Sequence, residues 1–581
     1  MSATAYVAFE SYYSWSSPGM VADLQGWVDD PSSNFGWVMI GQETGMVTTQ
    51  KRFASRENTN TSYRPVLEIT YSVPPNPATG ACCLPSAECE VLTTAECASA
   101  AGEYQGNDTV CLPATCELVL EPYVDPLPIP SIAMPVSGTP GGAASYEISV
   151  VETQQQLHRD LPPTTVWAYD GVFPGPTIEA WRDEPVSVTW ISDLRDSTGA
   201  LRTEHLLPVD QCLHGPDELG PTPRTVVHLH GGHVPADSDG YPEDTILPGE
   251  QQTFVYPNHQ LPAMLWYHDH ALGITRLNVL LGLAGCYFVR DAEEQALGLP
   301  SGSYEVPLVI QDRTFRTDGS FAYPAAWAEH FFGDKTLVNG KVWPYLDVDR
   351  GAYRFRILNG SNGRTYTLAF SDGRPLTVIG SDGGSLPAPV VVDTLTLNPA
   401  ERADVIIDFS GDAPGAELLL RNSAPAPYPD GSPMQPQVEP VMKFVVAANP
   451  GFAWSAPDSL RSIERLQEAD ATEARDFTLQ KFGDPCTGSV WLINGHHWPH
   501  IEERPWLGST ETWRFINRSG MVHPMHMHLV MFQVLDIQPF TVVNDTIQVT
   551  GPPVPPDPEQ AGWKDTVPVL PNEMVRVIAR F

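Results

Sequence analysis

Asn494-Gly-His-His-Trp-Pro499, with Thr512-Trp-Arg-Phe-Ile-Asn517 close behind it, is the third copy of a pattern that runs through this chain. The first is Asp170-Gly-Val-Phe-Pro174 before Val186-Ser-Val-Thr-Trp-Ile191, and the second is Asn339-Gly-Lys-Val-Trp-Pro344 before Tyr353-Arg-Phe-Arg-Ile-Leu-Asn359. Recurrence at roughly one domain length predicts three similar domains in series. In each copy a run of alternating or wholly apolar residues, punctuated by Gly, Pro and Asn, predicts β-sandwiches rather than helical domains. With 57 Pro and 46 Gly among 581 residues the chain is turn-rich, as all-β proteins tend to be. That length lets each domain bury a core of its own.

Three histidine clusters lie far apart on this framework: His228-Leu-His230, His268-Asp-His270 and His523-Pro-Met-His526-Met-His528. Successive side chains of a strand point to opposite faces, so His228 and His230 share a face, as do His268 and His270. The same parity sends His526 and His528 to one face and His523 to the other, which suggests two metal centres served by one strand. One H-x-H is most often an exposed or hydrogen-bonded pair. Seven of the 16 histidines fall in these clusters, however, and their flanks Arg224-Thr-Val-Val and Met264-Leu-Trp-Tyr read as buried strands. Buried imidazoles need partners, and a metal supplies one for all of them. Imidazole ligation suits copper, zinc, iron or nickel alike. Seven histidines exceed the three protein ligands of a zinc hydrolase, which favours a multinuclear site.

The ordered set HLHGG, WYHDH and HPMHMH, with Asp170-Gly-Val-Phe-Pro-Gly-Pro-Thr-Ile178 near its start, resembles the multicopper oxidases, in particular the bacterial spore-coat laccase and bilirubin-oxidase-like branch. Further matching stretches are Gln156-Leu-His-Arg-Asp-Leu-Pro-Pro-Thr164, Asp239-Gly-Tyr-Pro-Glu243, Thr275-Arg-Leu-Asn278, Leu337-Val-Asn-Gly-Lys-Val-Trp-Pro-Tyr-Leu346 and Gly562-Trp-Lys-Asp-Thr566. The likeness runs from about Leu118 to Phe581. It implies three cupredoxin-like Greek-key β-sandwiches, over 118–291, 292–449 and 450–581, the last of them incomplete. It also implies an oxidoreductase that couples one-electron oxidation of phenolic or bilirubin-like substrates to four-electron reduction of O2 to water, with four copper ions in the complete protein. By the family pattern His228 and His526 bind the type 2 copper, and His230, His268, His270 and His528 bind the binuclear type 3 pair. His523 belongs to the type 1 copper, where electrons enter. Asp239 matches an acidic position that assists proton delivery; its other reading is an Asx-turn residue before Gly240. Asp269 faces away from the ligands by parity and is expected in a supporting role.

The type 1 site also needs a cysteine, a second histidine and a weak axial ligand. In the family these come from a closing H-C-H motif that is expected soon after Arg576-Val-Ile-Ala-Arg-Phe581 and is not among these residues. Cys212, Cys286 and Cys486 are expected as buried thiols or structural pairs, and Met525 and Met527 as packing residues. The chain therefore reads as a fragment that is inactive alone. The alternatives are a non-catalytic copper-binding or surface-adhesion protein, or one chain of a split oxidase.

Cys82, Cys83, Cys89, Cys97, Cys111 and Cys116 crowd residues 75–117, between Pro-rich linkers. An even count in so small a module reads as three disulfides; a zinc knuckle is the other reading, weakened by the lack of a C-x-x-C pair. Disulfides imply an extracellular or cell-envelope location, yet Met1-Ser-Ala-Thr-Ala-Tyr-Val-Ala-Phe-Glu10 carries no signal peptide, so the natural start is expected upstream. Residues 1–74 resemble the C-terminal half of a DNRLRE-type β-sandwich related to carbohydrate-binding modules. Trp27, Phe35 and Trp37 are there a core or a sugar platform for a surface polysaccharide. A net charge of −37 argues against nucleic acid as a partner. No apolar run is long enough to span a bilayer.

Overall fold

The computed structural model describes residues 14–30, 32, 57–68, 78–84, 89–100, 102–111, 118, 120–433, 438–498 and 500–581. The chain divides into two compact units, Met1–Asn76 and Pro77–Phe581. In the first, the described residues hold no strand. Val21 to Val28 lies in an α-helix, Pro18–Asp29, where a sandwich fragment was expected. Ser17 caps it by accepting from the Met20 N–H, and Pro18 occupies the first turn, where a missing N–H costs nothing. Phe35, Trp37 and most of the other expected strand residues lie outside the described residues.

The second unit opens with the cysteine module, a three-stranded sheet of Thr79–Cys83, Cys89–Thr93 and Glu103–Tyr104 with one short helix, Thr94–Ser99. Cys82 is bonded to Cys97 and Cys89 to Cys111; Cys83 is disulfide-bonded as well, and Cys116 lies outside the described residues. The disulfide reading holds for the described cysteines, and the zinc reading does not.

Three β-rich bodies follow. A five-stranded and a four-stranded sheet share one core that includes Trp167, Trp190, Tyr267 and Tyr287. A seven-stranded and a five-stranded sheet enclose a second core around Phe355, Phe409 and Phe444. A six-stranded sheet and a two-stranded ribbon enclose a third around Phe477, Phe515 and Phe532. The three largest cores and the three repeats agree in number. Asp170, Asn339 and Asn494, which begin the three repeats, have φ of 50°, 49° and 53°, and the glycines after them 74°, 76° and 77°. Each first side chain accepts from a strand N–H, of Ser149, Val309 and Thr478 at 2.8, 2.8 and 2.7 Å. Asn and Asp tolerate the left-handed region and their side-chain oxygen pins the turn to a neighbouring strand, which explains the repeated Asx-Gly. Cys212 and Cys486, 274 residues apart, form a disulfide that staples the first body to the third. Among the described residues no helix is long and apolar enough to cross a membrane.

Candidate metal centre

His228 and His230 lie on Val227–His230, the edge strand of the four-stranded sheet, beside Ala263–Asp269. Antiparallel register sets His268 opposite His228, and His270 follows just past the strand with its N–H on the Val226 carbonyl at 2.8 Å. The facing half comes from the third body. His526 ends the strand His523–His526, which pairs only with Thr566–Val569, and His528 lies two residues on. Rings from the two halves stack, His228 on His528 with centroids 4.0 Å apart and His230 on His526 at 3.6 Å. Six of the seven histidines thus converge. His523 points elsewhere, as its parity predicts: its Nε2 lies 2.8 Å from Ser519 Oγ and its ring meets Trp491 edge-on at 4.8 Å. Burial, then His330, pushes it down to about 4.

The outer nitrogens are spoken for. Nδ1 of His228 donates to the Asp239 carbonyl at 2.7 Å, that of His268 to the Asp269 carbonyl at 2.8 Å, and that of His526 to the Asp565 carbonyl at 2.9 Å. Each of these rings then directs an unprotonated Nε2 inward. The Nε2 atoms of His228 and His526 face each other at 3.5 Å, and His268 Nε2 faces His230 Nδ1 at 3.4 Å. Burial above all pushes His228, His230, His268 and His526 down and holds them neutral. His270 is pushed down to about 3 by burial and then by His228 and His528; its Nδ1 is buried without a protein partner.

Asp239 ties the halves together, its carbonyl accepting from His228 and its Oδ2 from His528 Nδ1 at 2.8 Å. Burial opposes its charge, but both imidazoles outweigh that and hold the carboxyl well below the usual range. No Asx-turn bond is formed by its side chain among the described contacts. The loop can lie against the strand because Gly240, at φ 80°, has no Cβ, which would stand 2.2 Å from the Val227 carbonyl oxygen. Asp269 is fully buried facing away from the cluster, accepting from Val226 N–H, Ala271 N–H and Asn278 Nδ2. Burial pushes its carboxyl up to about 7.

Sequence reasoning missed two residues here. Asp565 is fully buried with Oδ1 3.2 Å from His230 Nε2, and Arg402, from the second body, grips both its oxygens at 2.7 and 2.5 Å. Burial opposes the charge on Asp565, and Arg402 more than restores it. Their signal was an ionic side chain at the start of an apolar strand, in Asp565-Thr-Val-Pro-Val569 and in Arg402-Ala-Asp-Val-Ile. Gly231 follows from the same contact: a Cβ there would stand 2.5 Å from Asp565 Oδ2. Of the expected cysteines, Cys212 and Cys486 are paired, and Cys286 is a buried thiol packed with Met264, Trp266 and Phe288. No free thiol among the described residues stands beside His523. Met527 is buried in the third core with Met525 against it, as packing residues.

Sequence profiles described as multicopper oxidase match residues 219–294, 314–422 and 470–581. A laccase of Bacillus subtilis (strain 168) is 42% identical over 497 residues, covering 80% of this chain and 94% of that protein. The chain belongs to the multicopper oxidase family. A laccase of Haloferax volcanii is 40% identical over 80% of this chain and 81% of its own length. Among solved structures, a laccase from Pediococcus acidilactici superposes with a TM-score of 0.64 at 29% identity, over 80% of this chain and 89% of that one. The McoA multicopper oxidase of Aquifex aeolicus gives 0.62 at 28% identity, over 78% and 92%.

Membership in this family implies copper, and the donor set fits it. Two imidazole lone pairs 3.5 Å apart, with neither proton available, repel each other unless a cation lies between. Metal–imidazole bonds of about 2 Å place two nitrogens of one ion about 3–4 Å apart. The buried, partnerless Nδ1 of His270 supplies a further donor of the same kind.

Proposed function

We propose that this chain is the copper-binding body of a laccase-like oxidase that couples one-electron oxidation of phenolic or bilirubin-like substrates to four-electron reduction of O2 to water. The observation that carries the reading is the convergence of six imidazoles from three distant segments, with the inward lone pairs of His228, His268 and His526 fixed by outward hydrogen bonds. His228 and His526 would hold the type 2 ion, and His230, His268, His270 and His528 the type 3 pair. Bound copper supplies the one-electron steps that let single-electron donors serve a four-electron acceptor. The protein's own groups fix the rest. The carboxylate of Asp565 and the carbonyls of Asp239, Asp269 and Asp565 hold His230, His228, His268 and His526 each in one tautomer, which raises ligand basicity. Asp239 Oδ2, on the rim against His528, is the group placed to take up and pass on protons.

His523 would be the first ligand of the type 1 ion. The thiolate that such a site needs is not furnished by any described cysteine, so these residues alone should show no intense blue band and negligible phenol oxidation. The disulfides favour an oxidising location, extracellular or in the cell envelope. Copper analysis tests the proposal. The purified chain should bind copper at fewer than four ions per molecule, and His268→Ala or His526→Ala should lower that number. Tight zinc with no copper uptake under aerobic copper loading would overturn the assignment. Joining a family-type closing segment with H-C-H and the downstream His and Met should bring colour and O2 consumption together.

A further inference from the structure

The three repeats share one turn but not one chemistry. After the Asx-Gly pair the second copy continues Lys341-Val-Trp343-Pro-Tyr345-Leu-Asp347, and the third continues His496-His497-Trp498-Pro-His500-Ile-Glu502. The second copy folds the same turn without a histidine, so the fold does not call for the three imidazoles of the third. Nor does packing. Trp343 is 4% exposed, buried in the first body's core, whereas Trp498 is 42% exposed on the surface.

The side chains of His496, His500 and Glu502 are exposed yet gathered. The two rings stack at 3.8 Å, and Glu502 Oε2 lies 3.3 Å from His496 Nε2 and 3.7 Å from His500 Nε2. These distances are too long for a pair of good hydrogen bonds, and one oxygen addresses both rings. The three donor atoms lie within 4.8 Å of one another. Two turns preform the group, with His496 N–H on the Ile493 carbonyl and His500 N–H on that of His497, both at 3.0 Å. Between the ligands Trp498 is anchored to the first body, donating to Glu243 Oε1 at 3.0 Å, with its ring 5.7 Å from that of Tyr241.

We propose that His496, His500 and Glu502 form a surface site for a divalent transition-metal ion of the zinc or copper(II) kind, apart from the buried cluster. Two imidazoles and a carboxylate are a ligand set such ions accept, with positions left for water. An ion there closes the loop around Trp498. That braces the contact with Glu243, four residues beyond Asp239.

The test titrates Zn2+ into the full chain after copper loading and a mild chelator wash, and reads stoichiometry and affinity by calorimetry. The parent should take up one more Zn2+ than H496A/H500A. E502Q should weaken that uptake by at least about tenfold, the smaller of the losses that disturbing even an outer partner brings. H259A removes an exposed histidine elsewhere and should match the parent. Equal copper content and circular dichroism across the set show that the variants fold. Equal Zn2+ uptake and affinity in H496A/H500A and the parent, or an equal loss in H259A, would overturn the site.

Discussion

Val227–His230 and Ala263–Asp269 are buried at every residue inside a four-stranded sheet, whereas His523–His526 lies on a two-stranded ribbon with all four residues part-exposed. One half of the histidine cluster is therefore set by sheet hydrogen bonds on both sides of its second strand. The other is held by tethers outside a wide sheet: the Asp565 carbonyl accepts from His526, the Asp565 carboxylate and Thr566 hydroxyl reach His230 across the interface, Asp239 reaches His528, and Arg402 backs Asp565. Geometry built into a sheet survives the loss of a side chain better than geometry held by tethers. The tethers are thus where the site should be easiest to break.

Asp565→Ala tests this most severely. It leaves Arg402, 1% exposed, without its main partner, and breaking a buried pair from one side costs about 3–5 kcal/mol. Denaturant unfolding should show that loss, with copper content falling alongside; a loss below about 1 kcal/mol would mean that Asp382 and the Met264 carbonyl satisfy Arg402 alone. A covalent tether comes next. Replacing Cys212 and Cys486 together by serine should cost about 2–4 kcal/mol under oxidising conditions, since the bond restricts a very long loop in the unfolded chain. An unchanged midpoint would show that non-covalent contacts suffice to join the first and third bodies.

Asp239→Asn should lower copper affinity by about 10–100-fold without unfolding the protein, read as copper retained against a graded chelator. If the sheet half holds its ions unaided, retention should fall for part of the copper only. The smallest effect is confined to the first body. His205 is buried, bonded to Asn278 Oδ1 and pushed down to about 4, chiefly by burial. It is neutral when folded, but the unfolded chain takes up a proton below about 6.5. Stability should therefore decline as pH falls from about 6.5 towards 4. His205→Gln should flatten that part of the profile, and an unchanged slope would assign the acid sensitivity elsewhere.

The repeats, the strand character and the side of the chain on which each histidine lies were legible because they are local. Chirality fixes the left-handed preference of Asx-Gly, and the period of two fixes which residues of a strand share a face. His523 standing apart from His526 follows from three positions of spacing alone. The helix at Pro18–Asp29 was missed because residues 1–74 were read by resemblance to a sandwich domain, and the local cap that Ser17 and Pro18 provide was not weighed. Asp565 and Arg402 escaped because a buried ionic group is recognisable only by its partner, which here lies in another body.

What the sequence by itself determined is the kind of donor, its number and its facing. Tertiary structure alone decided that His526 meets His228 across 298 residues, that Asp239 lies between His228 and His528, and that Cys212 finds Cys486. The physical reason is that backbone sterics act over a few residues and are written in the chain. The meeting of two domain surfaces depends on the summed packing of whole cores, which no short stretch encodes.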